Sequence, residues 1–212
     1  MSYILQNPGI VLELLLEHLQ MTGIAIGVAV VIAVPIAWIM YRFAGLQRPI
    51  MGILGVIYTI PSLALMILLI PLFGLSAITA IVAMILYAQV ILVRSIVVGL
   101  QSVPPPILEA AQAMGMTPWQ CWWQVQVPLM CPVLLAGVRL ATTVMIALGT
   151  VAAKFGAGGL GELLFEGIAQ AGRYDKIWAG TIVVSGVAIV ANILLWLLEQ
   201  QLAPKQPLQR GR

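Results

Sequence analysis

Residues 109–128 read EAAQAMGMTPWQCWWQVQVP, a carboxylate, four glutamines and three tryptophans set between long oily runs. From Ile107 onward, Ile107, Ala110, Ala111 and Met114 recur at i, i+3, i+4 and i+7, a single apolar stripe on a helix started by the Pro104, Pro105, Pro106 run. Alanines at its centre make that stripe flat. Gly115 supplies the left-handed residue that ends a helix cheaply. Thr117, Pro118 and Gln120 then follow capping-box order, with Thr as N-cap, Pro at the first helical position and Gln at the third. A second short helix is expected there, with Trp119, Trp122 and Trp123 sharing a face suited to the headgroup zone of a membrane. Pro128 is expected to turn the chain into the next apolar run. The stretch is therefore an elbow of two short helices.

What the elbow interrupts follows from composition. Apolar residues are 62% of 212 and charged residues 8%, and mean hydropathy is +1.08. Ten Lys/Arg and seven Asp/Glu cannot coat a soluble globule of 22.7 kDa, so lipid must cover most of the surface. A membrane helix needs about 20 apolar residues to cross roughly 30 Å of hydrocarbon. Five stretches qualify: Leu19 to Met40, Ile50 to Phe73, Ala77 to Val98, Leu129 to Ala153 and Ile177 to Leu198. They are too long and unbroken for barrel strands. The expected fold class is an all-α membrane protein of about five transmembrane helices, with the elbow between the third and fourth. We expect one domain over 1–212, with a core at 18–200, the elbow segment at 102–127 and a tail at 203–212.

Ahead of the first span, IVLELLLEHL carries Glu13, Glu17 and His18 among leucines and reads as an amphipathic helix lying along the membrane surface, with His18 on a solvated face. No basic start and small-residue cleavage site mark Met1 to Gln20 as a removable leader. Gly23 and Gly27 form a small-xxx-small pair that serves either internal packing or a dimer seam. Pro35, Pro61 and Pro71 fall within or at the ends of spans, where the helix is expected to bend.

An odd number of spans puts the termini on opposite sides, so short-loop cations choose the orientation. Arg42, Arg48, Arg94, Lys205, Arg210 and Arg212 share one side, and Lys154, Arg173 and Lys176 the other. That split predicts an outside N-terminus, with the C-terminus and the elbow in the cytoplasm. The cations form no basic stripe, so nucleic acid is not an expected partner.

Several chemistries are excluded or discounted. GAGGLG at 156–161 formally matches a dinucleotide fingerprint, but a lipid span precedes it and no parallel-sheet pattern surrounds it. No phosphate-cradling G-x-x-x-x-G-K-[ST] occurs, so energy must arrive from a partner. One histidine, no H-E-x-x-H and no G-x-S-x-G argue against an intramembrane hydrolase. Cys121 and Cys131 lack metal-ligand spacing and are expected as free thiols. No cofactor or metal is implied. Arg139, about eleven residues into the fourth span, is costly in lipid and should face a wet cavity or a polar partner, as a substrate contact or as a brace at the cytoplasmic mouth. Glu162 and Glu166 lie one turn apart and either attract a cationic solute or stay hydrated. Tyr58, Tyr87 and Phe155 offer cation-π faces to a quaternary amine, although single aromatics in spans usually serve packing.

The elbow resembles the EAA signature of permease subunits of bacterial ATP-binding cassette importers, which runs E-A-A, three residues, G, nine residues, I-x-L-P. Glu109, Ala110, Ala111, Gly115 and Pro128 match at that spacing, and Val125 and Val127 replace the usual Ile and Leu. The resemblance implies a coupling helix, Glu109 to Met114, that docks in a cleft of an ATPase subunit and moves as a lever. It also implies a bacterial inner-membrane location. The expected partners are two cytoplasmic ATPase subunits, a second permease copy or homologous permease, and an extracytoplasmic substrate-binding protein. YTIPSLAL (58–65), AIVAMILYA (80–88), EAAQAMGMTPWQ and GAGGLGELLFEGI (156–168) are together similar to permeases for quaternary-ammonium osmoprotectants such as glycine betaine, choline and carnitine. Methionine-import permeases share the EAA and GAGGLG elements and are the nearest alternative. By the same resemblance the region of Gly156, Gly158, Gly159, Gly161 and Glu162 borders the translocation path and its outer gate, with simple close packing of the glycines as the alternative, and Arg139 joins the path only as the substrate contact weighed above. From another class, the chain is a non-transporting membrane anchor that recruits a partner through its elbow.

Overall fold

The computed structural model describes residues 2–202 apart from 171, and the tail expected at 203–212, with Lys205, Arg210 and Arg212, lies outside the described residues. After a short α1 (Ser2–Gln6), one helix, α2 (Pro8–Arg42), runs for 35 residues. At 1.5 Å per residue it is about 52 Å long, well beyond the hydrocarbon thickness. The separate surface helix expected at IVLELLLEHL does not form. Glu, Leu, Gln and Met between Glu13 and Met21 are strong helix formers and nothing there breaks the helix, so the segment continues straight into the first span. Pro35 lies inside α2 without ending it.

Along α2, Ala25, Ala29, Ala33 and Ala37 recur every fourth residue and are fully buried. This stripe lets the central helix α5 (Ala77–Gln101) lie close against α2. Within that seam the Gln89 side-chain amide donates to the Ala29 carbonyl at 3.2 Å. Gly23 and Gly27 face open space, so the close-packing stripe inside the chain is the alanine one.

The second apolar stretch is a bent pair. Helices α3 (Gln47–Thr59) and α4 (Ser62–Phe73) meet at 95° across Ile60 and Pro61. Pro61 has no N–H to continue the ladder and holds Ile60 in an extended conformation. The Tyr87 hydroxyl donates to the Ile60 carbonyl at the break.

After α5 come the two elbow helices, α6 (Pro105–Ala113) and α7 (Pro118–Cys121). Next are α8 (Val127–Ala152), the short α9 (Gly161–Ala169) and α10 (Tyr174–Leu202). Among the described residues four helices are thus long and apolar enough to span, and there are five if the bent pair is counted as one span. The main core joins α2, α4, α5 and α8 through residues such as Met40, Met66, Met84, Leu92 and Met145. A smaller cluster of Tyr3, Val11, Leu14, Leu160, Leu163 and Ala179 packs α1 and the start of α2 against α9 and the first turns of α10. Ile53, Val56, Leu68, Ile189 and Leu194 stay exposed, which suits lipid or a partner helix rather than water. The elbow sits at one end of the bundle beside the last turns of α2, and the GAGGLG turn at the other beside Glu17 and His18.

Candidate functional site

The elbow closes through local hydrogen bonds. Gly115 adopts φ +78, its N–H donates to the Gln112 carbonyl at 2.9 Å, and the Met116 N–H reaches back to the Ala111 carbonyl at 3.2 Å. These are the two bonds of a Schellman stop. Two residues on, the Gln120 N–H donates to Thr117 Oγ1 at 3.3 Å and the Thr117 N–H donates to Gln120 Oε1 at 2.8 Å, completing the expected capping box. Stop and start are separated only by Met116, so α6 and α7 form a stiff corner.

Glu109, Ala110 and Met114 on α6 are exposed, Met114 at 75%, whereas Ala111 is only 2% exposed. The stripe is therefore divided: Ala111 packs against its own chain, and Ile107, Ala110 and Met114 remain outward. Pro128 does not turn the chain. A π-helical turn at Trp122–Gln126 leads directly into α8, with the Val127 N–H donating to the Trp122 carbonyl. Such a wide turn makes room for a proline ring that would otherwise crowd the carbonyl four residues earlier. Trp119 and Trp123 are exposed and meet edge to face at 5.5 Å, while Trp122 turns inward onto the core. Between α2 and the elbow runs an open, largely apolar groove of about 870 Å³, walled by Trp38, Tyr41, Trp119 and Trp122.

At the opposite end, Gly156, Gly158 and Gly159 all have left-handed φ, between +73 and +83. The Gly159 N–H donates to Glu17 Oε2 at 2.9 Å. A Cβ on Gly158 would stand 2.6 Å from that same oxygen, and one on Gly159 would stand 3.2 Å from His18 Nδ1. At Gly161 a Cβ would fall on the Thr150 carbonyl. The glycines thus let a tight turn seat on α2 and α8. His18 is fully buried between Gly149 and Gly159, contrary to the solvated face expected of it, because α2 continues past it and the turn closes over it.

Beside this turn lies an open pocket of about 480 Å³ lined by Tyr3, Glu13, Glu17, Glu162 and Glu166. Lys176 Nζ donates to Glu166 Oε2 at 2.7 Å and lies over the Tyr3 ring at 5.6 Å. Burial, then the charges of Glu17 and Glu166, push the Glu162 carboxyl above its ordinary value. Arg139 is distant from both ends of this arrangement: on α8, it approaches Glu199 Oε2 at 3.3 Å and Asn192 Oδ1 at 3.4 Å, both on α10. A polar partner, one of the two environments expected for it, is what the structure supplies. Among the described residues no cluster of His, Cys, Asp or Glu is arranged to hold a metal, and Cys121 and Cys131 are unbridged.

Sequence reasoning missed the clasp of Glu17 and His18 on the glycine turn, and the Gln89 crosslink. For Gln89 the signal was present, a carboxamide inside an apolar run. For the clasp there was none, since 142 positions separate Glu17 from Gly159.

The model of the family described as "Binding-protein-dependent transport system inner membrane component" matches residues 25–205. The chain belongs to this family. It is a multi-pass membrane transport subunit and not an enzyme. The osmoprotectant import permease protein OsmW of Salmonella typhimurium is 37% identical over 96% of both chains. The carnitine transport permease protein OpuCB of Listeria monocytogenes is 33% identical, covering 89% of this chain and 86% of that one. The glycine betaine/carnitine/choline transport system permease protein OpuCD of Bacillus subtilis is 32% identical over 96% of this chain and 89% of its own. Among solved structures, the inward-facing MetNI methionine ABC transporter gives a TM-score of 0.83 at 20% identity, covering 92% of this chain and 97% of that one. That likeness establishes the fold of an importer permease.

Proposed function

We propose that this chain is the permease subunit of an ATP-driven, binding-protein-dependent importer of quaternary-ammonium osmoprotectants of the glycine betaine, choline and carnitine type. The observation that carries the coupling role is the elbow, an exposed α6 stopped by the Schellman bonds at Gly115 and Met116 and followed at once by the complete Thr117–Gln120 capping box. The relatives named for osmoprotectants, similar over nearly their whole length, support the solute class.

In this reading the elbow end faces the cytoplasm and the glycine turn faces outward. Two cytoplasmic ATPase subunits serve the complex, one of them taking α6 in its cleft through Glu109, Ala110 and Met114, while Ala111 and Gly115 hold the shape of α6 and Pro128 carries the elbow into α8. A second permease copy or a homologous permease completes the path, since five helices enclose little space, and an extracytoplasmic binding protein delivers solute. ATP-driven closure of the partners swings α6 as a lever, and the spans rock between inward-open and outward-open arrangements. Arg139 braces α8 against α10, and Gly156, Gly158, Gly159, Gly161 and Glu162 shape the outer gate.

The test is ATPase stimulation of the reconstituted complex by binding protein charged with glycine betaine, choline, carnitine or methionine. Stimulation by at least one quaternary amine is expected. A response to methionine alone overturns the solute class, and solute uptake that never depends on this chain, once the partners are tethered to the membrane without it, leaves only an anchoring role.

A further inference from the structure

Backbone that leaves helical geometry at membrane depth needs protein cover or a water-lined cavity. At the break between α3 and α4 the Tyr87 hydroxyl takes up the Ile60 carbonyl, which holds its ring against Tyr58 with centroids 5.4 Å apart and planes tilted by 55°. Tyr58 itself is left exposed, at 42%. At 100° per residue, Arg48, Met51, Gly52, Gly55, Tyr58 and Thr59 fall on one arc of α3, and Ile50, Ile53, Leu54, Val56 and Ile57 lie on the rest. No atom of the chain comes within 4 Å of where a Cβ would stand on Gly52 or Gly55. Met51 on one flank packs against the core, and the remainder of the arc is low and open at Gly52 and Gly55, with Arg48 at its start and a phenol and a hydroxyl at the break. Such a face suits a wet path better than lipid.

A quaternary ammonium has no N–H to donate, so hydrogen bonds to its cationic head are unavailable to a recognising protein. Its charge is best met by a carboxylate or by the face of an aromatic ring. Neither α3 nor α5 contains Asp or Glu. We propose that Tyr58, braced by Tyr87, is a contact for the quaternary ammonium group of the solute in transit, with the glycine arc of α3 as the wall beside it. This rests on the osmoprotectant reading above. A ring contact is weaker than an ion pair, which matches the need of a passing solute to be held and then released.

The experiment uses the complete complex in proteoliposomes, with its ATPase, and binding protein loaded with glycine betaine. Position 58 carries Phe, then mono-, di- and trifluorinated Phe, a series that drains the ring face of negative potential while barely altering its shape. Uptake is expected to fall stepwise, about tenfold across the series, and Tyr58→Leu to lose roughly five- to thirty-fold. A flat series in a complex that betaine-loaded binding protein still stimulates overturns the ring contact alone. Stimulation by methionine-loaded protein and by no quaternary amine overturns both this contact and the solute class.

Discussion

Gly115 offers the sharpest test of the elbow, because its environment separates backbone strain from bulk. Its φ is +78, yet nothing lies within 4 Å of where a Cβ would stand. Any loss on substitution therefore reports backbone strain. Alanine in a left-handed conformation costs roughly 1 to 2 kcal/mol, asparagine less because it tolerates that region, and β-branched valine more. With tenfold per 1.4 kcal/mol, Gly115→Ala should reduce the closed elbow by a factor of about 5 to 30 relative to open forms. The consequence is large because α6 has only nine residues, too few to hold a helix in water without its caps. Uptake and stimulated ATPase in the reconstituted complex should fall in the order Gly, Asn, Ala, Val, with membrane insertion unchanged. An order following side-chain volume, with Ala better than Asn, would refute the strain argument, and wild-type coupling by Gly115→Val would refute the lever.

Ala110→Arg should leave the thermal unfolding midpoint near wild type while weakening ATPase capture, whereas Ala111→Arg should lower the midpoint itself, since Ala111 is buried against its own chain; thermal scans and co-purification separate the two. Replacing Glu17 by Leu strips the Gly159 N–H of its acceptor and should cost about 1 to 3 kcal/mol, while Glu17→Gln keeps an acceptor oxygen and should cost less, both read from unfolding of the purified chain. For Glu162 the folded value is raised, so the folded state holds its proton longer than the unfolded state and stability falls as pH rises from the ordinary glutamate range through the folded value. Glu13, Glu17 and Glu166, the last paired with Lys176, face the same pocket, and Glu162→Gln should flatten that part of the pH dependence of the midpoint. Orientation is checked with Ala113→Cys on the exposed elbow, after Cys121 and Cys131 are replaced by Ala: impermeant thiol reagents should label it in inside-out vesicles only.

What the sequence determined by itself was whatever depends on neighbours along the chain. Apolar run length specified the spans, and the elbow was legible in detail because its stop and start are made by residues three to five positions apart, Ala111 with Met116 and Thr117 with Gln120. Family membership followed from the same local spacing, Glu109 to Pro128. Only the tertiary structure decided which of several small-residue stripes is used, since Gly23 and Gly27 look as suited to close packing as Ala25 to Ala37, and α5 settles on the alanines. The same holds for Ala111, whose inward face is set by where α6 folds back, and for His18, which becomes buried only when a turn 141 positions away closes over it at Gly159. Periodicity reports that a face is apolar or small; it carries no record of what arrives to cover it, because that depends on contacts between helices far apart in the chain.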